Sequence, residues 1–386
     1  MLRGGKSLLK RVNNLYEKLI SDQNLSEAID EVNRTHHWKK GHKPNRCSAW
    51  VEETKPDRIK ELRKIIETGF IQKEPKVTER WDPSAQKIRI ISEPIQWPDQ
   101  YIHHALIQVL QPVFMRGMDY WCCGSIRGRG GIHEKKAIEK WLRYDPKGTR
   151  YSLCADIRHF YDSLTPDVVM RRMKELVKDH KVLDLVERII SAGIKIGAFT
   201  SQWFANVTLQ PLDMTIRQSG LCRHYARYMD NLTVFGPNKR KLRQLKYLIE
   251  DWLRNNDLEI KHDWQVFPCN KRLPNAVGYR YGIGYTIPRK HNLIRMKRAV
   301  KRYVKKRDRG ERIPPGMVLS ILSRLGQLKN CNNTNIYKEL FNGQKIQREL
   351  KNIIRRSLRK ELTWSMYLEQ REIRRSLKQK EQRIAS

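Results

Sequence analysis

The sequence predicts an α+β fold, an antiparallel sheet backed by helices, on three observations. Short β-compatible runs at Arg150–Ala155, Tyr225–Tyr228, Leu232–Phe235, Leu258–Ile260 and Trp264–Phe267 are separated by amphipathic helical stretches. Two of these runs flank Met229-Asp230-Asn231, a turn-forming tripeptide, and read as a hairpin. The order strand, helix, helix, hairpin, helix, strand is an elaborated split βαβ unit.

Each element has a local reason. The first run is mixed apolar and ends at Asp156. Thr165-Pro166-Asp167 supplies an N-cap, a proline at the first helical position and an acid in the first turn. The helix it starts is expected to reach about Lys181, and a second begins near Thr200. Lys239–Asn255 places Leu242, Leu245, Leu248, Ile249 and Trp252 on one face. From Arg289 to Ser386 the chain reads as helix throughout, with apolar Met317, Ile321, Leu325 and Leu328, interrupted at Pro314-Pro315-Gly316.

Charge narrows the partner. The 386 residues carry 78 Lys and Arg against 41 Asp and Glu, a net charge of +37. Ten Trp, 15 Tyr and 8 Phe argue against disorder, so the charge sits on a folded body and calls for a polyanion, nucleic acid first. Arg289–Ser386 holds 28 Lys and Arg and 8 Asp and Glu, so +20 lies in the last quarter of the chain, as a phosphate-gripping segment would. No apolar run of about 20 residues suggests a membrane span, and the N-terminus lacks a signal-peptide core. Seven irregularly spaced Cys read as reduced thiols of a cytoplasmic protein. His36-His37-Trp38-Lys39-Lys40-Gly41-His42, with Cys47 beyond, fits no zinc finger and reads as a basic, aromatic RNA-contacting loop. Gly128-Arg129-Gly130-Gly131 is not followed by the Lys-Ser/Thr of a P-loop.

Two acids stand out by placement. Asp156 follows one strand and Asp230 tips the hairpin, so neighbouring strands would project both carboxylates from one sheet edge. That suits a pair of Mg²⁺ ions and phosphoryl transfer on nucleic acid. The same positions also suit plain turn formers.

These residues stand inside blocks that resemble reverse transcriptases of the bacterial and prophage kind, related to group II intron, retron and diversity-generating enzymes. Ala155–Leu164 resembles the first palm motif, Ile196–Asn206 the second, and Arg227-Tyr228-Met229-Asp230-Asn231 the Tyr-x-Asp-Asp hairpin. Leu258–Phe267 and Val277–Tyr281 resemble the fourth motif and the primer grip, and Lys87–Ile91 and Gly124–Gly130 the fingers blocks. Each block is weak alone; their order over about Lys87 to Phe341 is specific.

The resemblance implies a right-hand polymerase. Residues 1–150 would form an N-terminal extension and fingers, 151–288 a ferredoxin-like (RRM-like) palm, and 289–386 a basic helical thumb. It implies roles as well. Asp156, Asp230 and the Ile157 carbonyl would hold two Mg²⁺ ions, with Mn²⁺ as an alternative. Arg89 and Lys87 would clamp the triphosphate, although Lys87 also reads as a solvated strand charge. Tyr161 would be the steric gate against ribose, or a core aromatic. Gly197, Ser201 and Gln202 would meet the template–nucleotide pair, Lys261 would donate a proton to pyrophosphate, and Gly278 and Tyr279 would position the primer end. Substrates would be dNTPs and a structured RNA template, with cDNA as product. A homo-oligomer or a second protein subunit stays open.

One residue departs from the pattern. Asn231 stands where the family has a second Asp, removing a charge from the site. The consequence would be weaker metal binding, a preference for Mn²⁺ or a slower enzyme, with a catalytically silent RNA-binding scaffold as the alternative. No endonuclease, maturase, protease or RNase H segment is read, and the thumb is expected to end the chain. By analogy the resemblance points to the compact enzymes that work with a dedicated noncoding RNA in anti-phage defence. Retron-like, diversity-generating, template-independent and protein-primed synthesis are the other roles it allows.

Overall fold

The structure, a computed structural model, describes residues 10–37, 45–82, 87–341 and 346–356. It divides into two compact units, Met1–Val277 and Gly278–Ser386.

The first unit begins with four helices, α1 (Tyr16–Leu19), α2 (Asp22–His37), α3 (Arg46–Glu53) and α4 (Lys55–Thr68). A two-stranded antiparallel ribbon follows, β1 (Lys76–Asp82) with β2 (Lys87–Glu93), then α5 (Tyr101–Met115) and α6 (Gly131–Tyr144). Next come β3 (Tyr151–Asp156), α7 (Phe160–Ser163), α8 (Pro166–Leu176), α9 (His180–Ile190), α10 (Phe199–Thr208) and α11 (Gln210–Gln218). The hairpin β4 (His224–Tyr228) and β5 (Asn231–Gly236), α12 (Lys239–Arg254) and β6 (Gln265–Pro268) complete it.

The four strands β3 to β6 form one antiparallel sheet in the order β4-β5-β3-β6. The α+β class and the split βαβ order read from the sequence are therefore the fold. Register puts Asp156 opposite Asn231, so β3 ends where the hairpin turns. The apolar face of α12 packs on the sheet through Leu242, Leu245, Ile249 and Leu253, all fully buried. Asn238 caps this helix, its side chain accepting from the Arg240 and Lys241 amides.

One helix is shorter than expected. The Thr165 hydroxyl does cap α8, accepting from the Val168 amide, but α8 stops at Leu176 rather than near Lys181. Val177 turns extended because Val12 pairs with it: Val12 N–H donates to the Leu176 carbonyl and Lys178 N–H to the Val12 carbonyl. Asp179 then starts α9, one carboxylate oxygen accepting from Val182 and the other from Leu15 and Tyr16. The break is thus imposed by residues about 160 positions away.

The second unit holds the antiparallel hairpin β7 (Tyr279–Gly282) and β8 (Tyr285–Pro288), then α13 (Lys290–Asp308), α14 (Pro315–Leu328) and α15 (Thr334–Phe341). Its core includes Met296, Val300, Tyr303, Val318, Ile321, Leu325 and Leu328. The chain leaves helix at 309–314, as the Pro314-Pro315-Gly316 break predicts, and again at Lys329–Asn333, which the periodicity does not announce. There the Asn333 side chain donates to the Leu328 carbonyl and satisfies one of the last acceptors of α14. Residues 357–386 of the basic segment, and residues 38–44 of the His- and Trp-containing stretch, lie outside the described residues. Among the described residues, no helix is long and apolar enough to cross a membrane. All seven cysteines are free thiols.

Candidate active site

The site lies where β3 ends beside the β4–β5 turn. Asp156 is the last residue of β3, Asp230 lies in the turn, and Ile157 N–H donates to the Asp230 carbonyl at 3.1 Å. Both carboxylates are half-buried. Burial holds the Asp230 carboxyl above its usual range, and the neighbouring Asp156 charge raises it further. Burial also raises Asp156, against the pull of Lys261. Two acids that repel each other at a partly dry edge form a site that favours a cation.

Other expected residues converge here. Lys261 Nζ lies 3.1 Å from Asp156 Oδ1, and its own amide donates to the Asp156 carbonyl at 2.8 Å. Arg89 projects from β2 with Nε 2.6 Å from Asp82, and its charge reaches both Asp156 and Tyr161. Tyr161 sits on the single turn α7, five residues past Asp156. Burial pushes its phenol up, with Asp230 and Tyr228 adding to the shift. Asn231 is exposed, and its amide donates to Asp230 Oδ1 at 3.4 Å. Lys87 is exposed at the start of β2. Ile157 is buried beside the pair.

Gly197 abuts β2. Gly197 has φ +119°, and a Cβ there would lie 2.8 Å from the Ser92 carbonyl oxygen. The Ser92 amide donates to the Ile196 carbonyl at 2.7 Å, so glycine permits the backbone contact between β2 and the loop that leads into α10. Ser201 is buried in the first turn of α10, next to half-buried Gln202. Gly278 and Tyr279 are described within the second unit, where Tyr279 Oη donates to the Gln327 carbonyl at 2.9 Å.

Asp156 and Asp230, with the Ile157 carbonyl, would offer only hard oxygen ligands, which would suit Mg²⁺ held jointly with substrate phosphates. Among the described residues no group of three or more His, Cys, Asp or Glu forms a metal cage.

A buried network under the hairpin went unread in the sequence. Arg227 is fully buried in β4 and paired with Asp213 of α11, Nε to Oδ1 and Nη2 to Oδ2 both at 2.7 Å. Tyr225 Oη donates to the same carboxylate at 2.6 Å. Stripping either charge would leave the other uncompensated, at a cost of about 3–5 kcal/mol. The available signal was an arginine set among apolar residues in a strand; nothing local named Asp213 as its partner.

A sheet of this order with paired acids at its hairpin edge, and Arg89 of the ribbon in electrostatic reach, defines a polymerase-type palm. The family model for reverse transcriptase (RNA-dependent DNA polymerase) matches residues 71–271, more than half of the chain. The chain belongs to this family. A solved structure of apo telomerase from Candida tropicalis, truncated from its C-terminal domain, is similar at 12% identity and a TM-score of 0.39. The match covers 55% of this chain and 53% of that one, so the chain spans about half the length of that structure. No curated protein matches.

Proposed function

We propose that the protein is an RNA-directed DNA polymerase that extends a primer with dNTPs on a structured RNA template, in the cytoplasm, with residues 1–150 as N-terminal extension and fingers, 151–288 as palm and 289–386 as thumb. The observation that carries this reading is the pair of half-buried carboxylates, Asp156 and Asp230, with Arg89 and Tyr161 in electrostatic reach. Asp156, Asp230 and the Ile157 carbonyl would hold two Mg²⁺ ions. Bound there, the metal would neutralise charge on the transferring phosphoryl group and the attacking oxygen. Arg89 would bind the triphosphate, exchanging Asp82 for phosphate oxygens. The primer 3′-hydroxyl would release its proton to solvent as its oxygen bonds to the α-phosphorus and the bond to the pyrophosphate oxygen breaks. Lys261 would protonate that leaving group. The defence role with a dedicated noncoding RNA is the biological setting we favour, on family analogy.

The test is dNTP incorporation on poly(rA)/oligo(dT) with Mg²⁺ or Mn²⁺, with and without the RNA that co-purifies. Incorporation that vanishes in Asp156→Ala supports the reading. No incorporation under any of these conditions leaves the silent scaffold, and product made after complete RNA removal leaves template-independent synthesis.

Asn231 carries its own prediction. Its neutral amide touches Asp230 where the family has an acid. Asn231→Asp should lower the Mg²⁺ concentration for half-maximal incorporation, by about tenfold if the added charge contributes about 1.4 kcal/mol. An unchanged Mg²⁺ midpoint would show that metal charge is not limiting.

The raised carboxyls give a pH signature. A carboxyl whose pKa is higher folded than unfolded holds its proton longer in the native state. Its stabilising effect is present in full below the usual carboxylate range and is lost as pH rises through the raised folded value. Mg²⁺ binds the deprotonated pair, so it should raise Tm at about pH 7.5 and much less at about pH 4.5. Differential scanning fluorimetry checks this, and an equal shift in Asp230→Asn would refute the site.

A further inference from the structure

We propose that Arg227 is a positioning residue that fixes the turn carrying Asp230, a role that rests on the polymerase reading of that carboxylate. All five guanidinium N–H groups are used. Three of them reach Asp213 and Asn206: Nε and one Nη2 hydrogen take Asp213, and the other Nη2 hydrogen takes the Asn206 carbonyl at 3.3 Å. The two on Nη1 reach the Asn206 side-chain oxygen and the Met229 carbonyl, each at 3.0 Å. Met229 immediately precedes Asp230 and has φ +55°. A non-glycine residue keeps that conformation only where its surroundings hold it. Here the Met229 carbonyl is held by a cation that Asp213 pins from behind.

The clamp joins segments far apart in sequence. Asn206 of α10 donates to the Gly124 carbonyl at 2.8 Å. Gly124 lies directly beneath the turn, where a Cβ would come 2.6 Å from Met229 Sδ and 2.7 Å from its amide nitrogen. The flanking backbone is stitched to β4: Arg227 N–H donates to the Trp121 carbonyl and Cys123 N–H to the Arg227 carbonyl, at 3.0 and 2.8 Å. The turn is therefore confined from one side by glycine and held from the other by the guanidinium. Freed from Nη1, the Met229–Asp230 peptide can rotate and carry the carboxylate away from Asp156.

The test uses the full chain with Arg227→Lys, which keeps the charge but cannot span Asp213, Asn206 and Met229 at once. Amide hydrogen exchange across residues 228–232, on protein without substrate, should accelerate about tenfold. In steady state kcat should fall about 10- to 100-fold, the scale of a 1 Å misplacement. The KM for dNTP should stay within about twofold, because no substrate contact is removed. If Arg227→Lys does not fold, R227M/D213L/Y225F removes the buried charges and the stranded phenol together, and should show the same split. A folded variant with unchanged exchange or unchanged kcat overturns the proposal. So does failure of both to fold, which would make the network a folding requirement only. Exchange is read without turnover, so an inactive wild-type protein would sink the polymerase reading and leave the positioning of the turn to be decided separately.

Discussion

Asp230→Asn will lower dNTP incorporation by about 10²- to 10³-fold, the loss typical when one preorganised charge-stabilising group is removed from an active site. The substitution is nearly isosteric, so the loss isolates charge from shape. Asn231 already places a neutral amide beside this carboxylate, and a second one would leave Asp156 as the remaining acid of the pair. The same change should not destabilise the fold. Burial and the Asp156 charge both disfavour the ionised Asp230, so replacing it relieves desolvation and repulsion. Tm is therefore expected to stay level or rise at about pH 7.5 as activity disappears, the trade expected where function is built from strained charge. Asp156→Asn should match it in activity. Its Tm should gain less, because Asp156 also loses an ion pair with Lys261. Activity within about tenfold of wild type in either variant would remove these carboxylates from the chemistry.

The two acids were legible for a local reason. A strand that ends at an acid and a hairpin that turns on one need only turn chemistry to be seen, and antiparallel pairing then brings them together. Helix α12 was legible because its face repeats at helical spacing and Asn238 caps it. The end of α8 was not, because Val12 and Asp179 set it through contacts between distant segments. Arg227 was hidden for the same kind of reason. It stood inside a recognised block, yet its ion partner is on α11, its amide partner on α10, and the residue it holds is its own turn. Gly124 read as part of a fingers block, and only its distance to Met229 ties it to the hairpin. Sequence periodicity reports which face is buried. It does not report which buried polar group meets which.

Tyr161→Ala should let ribonucleotides in. The ring sits one short turn beyond Asp156, half-buried, with Asp230 and Arg89 close enough to influence its hydroxyl. A substrate held by Arg89 and the two acids would bring its sugar toward this side chain. An aromatic ring leaves room for hydrogen at the 2′ position and crowds a hydroxyl. Removing it should reduce the ratio of kcat/KM for dTTP over UTP on poly(rA) at least about tenfold, a scale typical of a single shape-based contact. The change must come from faster UTP use. A ratio that falls only because dTTP use collapses would indicate general damage to the pocket, which the partial burial of the ring and its packing against Phe160 make a real alternative. Tyr161→Phe separates the two, since it keeps the ring and loses only the hydroxyl, and it should discriminate as wild type does. If Tyr161→Ala retains full discrimination, the ring is packing for α7, and selection against ribose must come from another wall of the site.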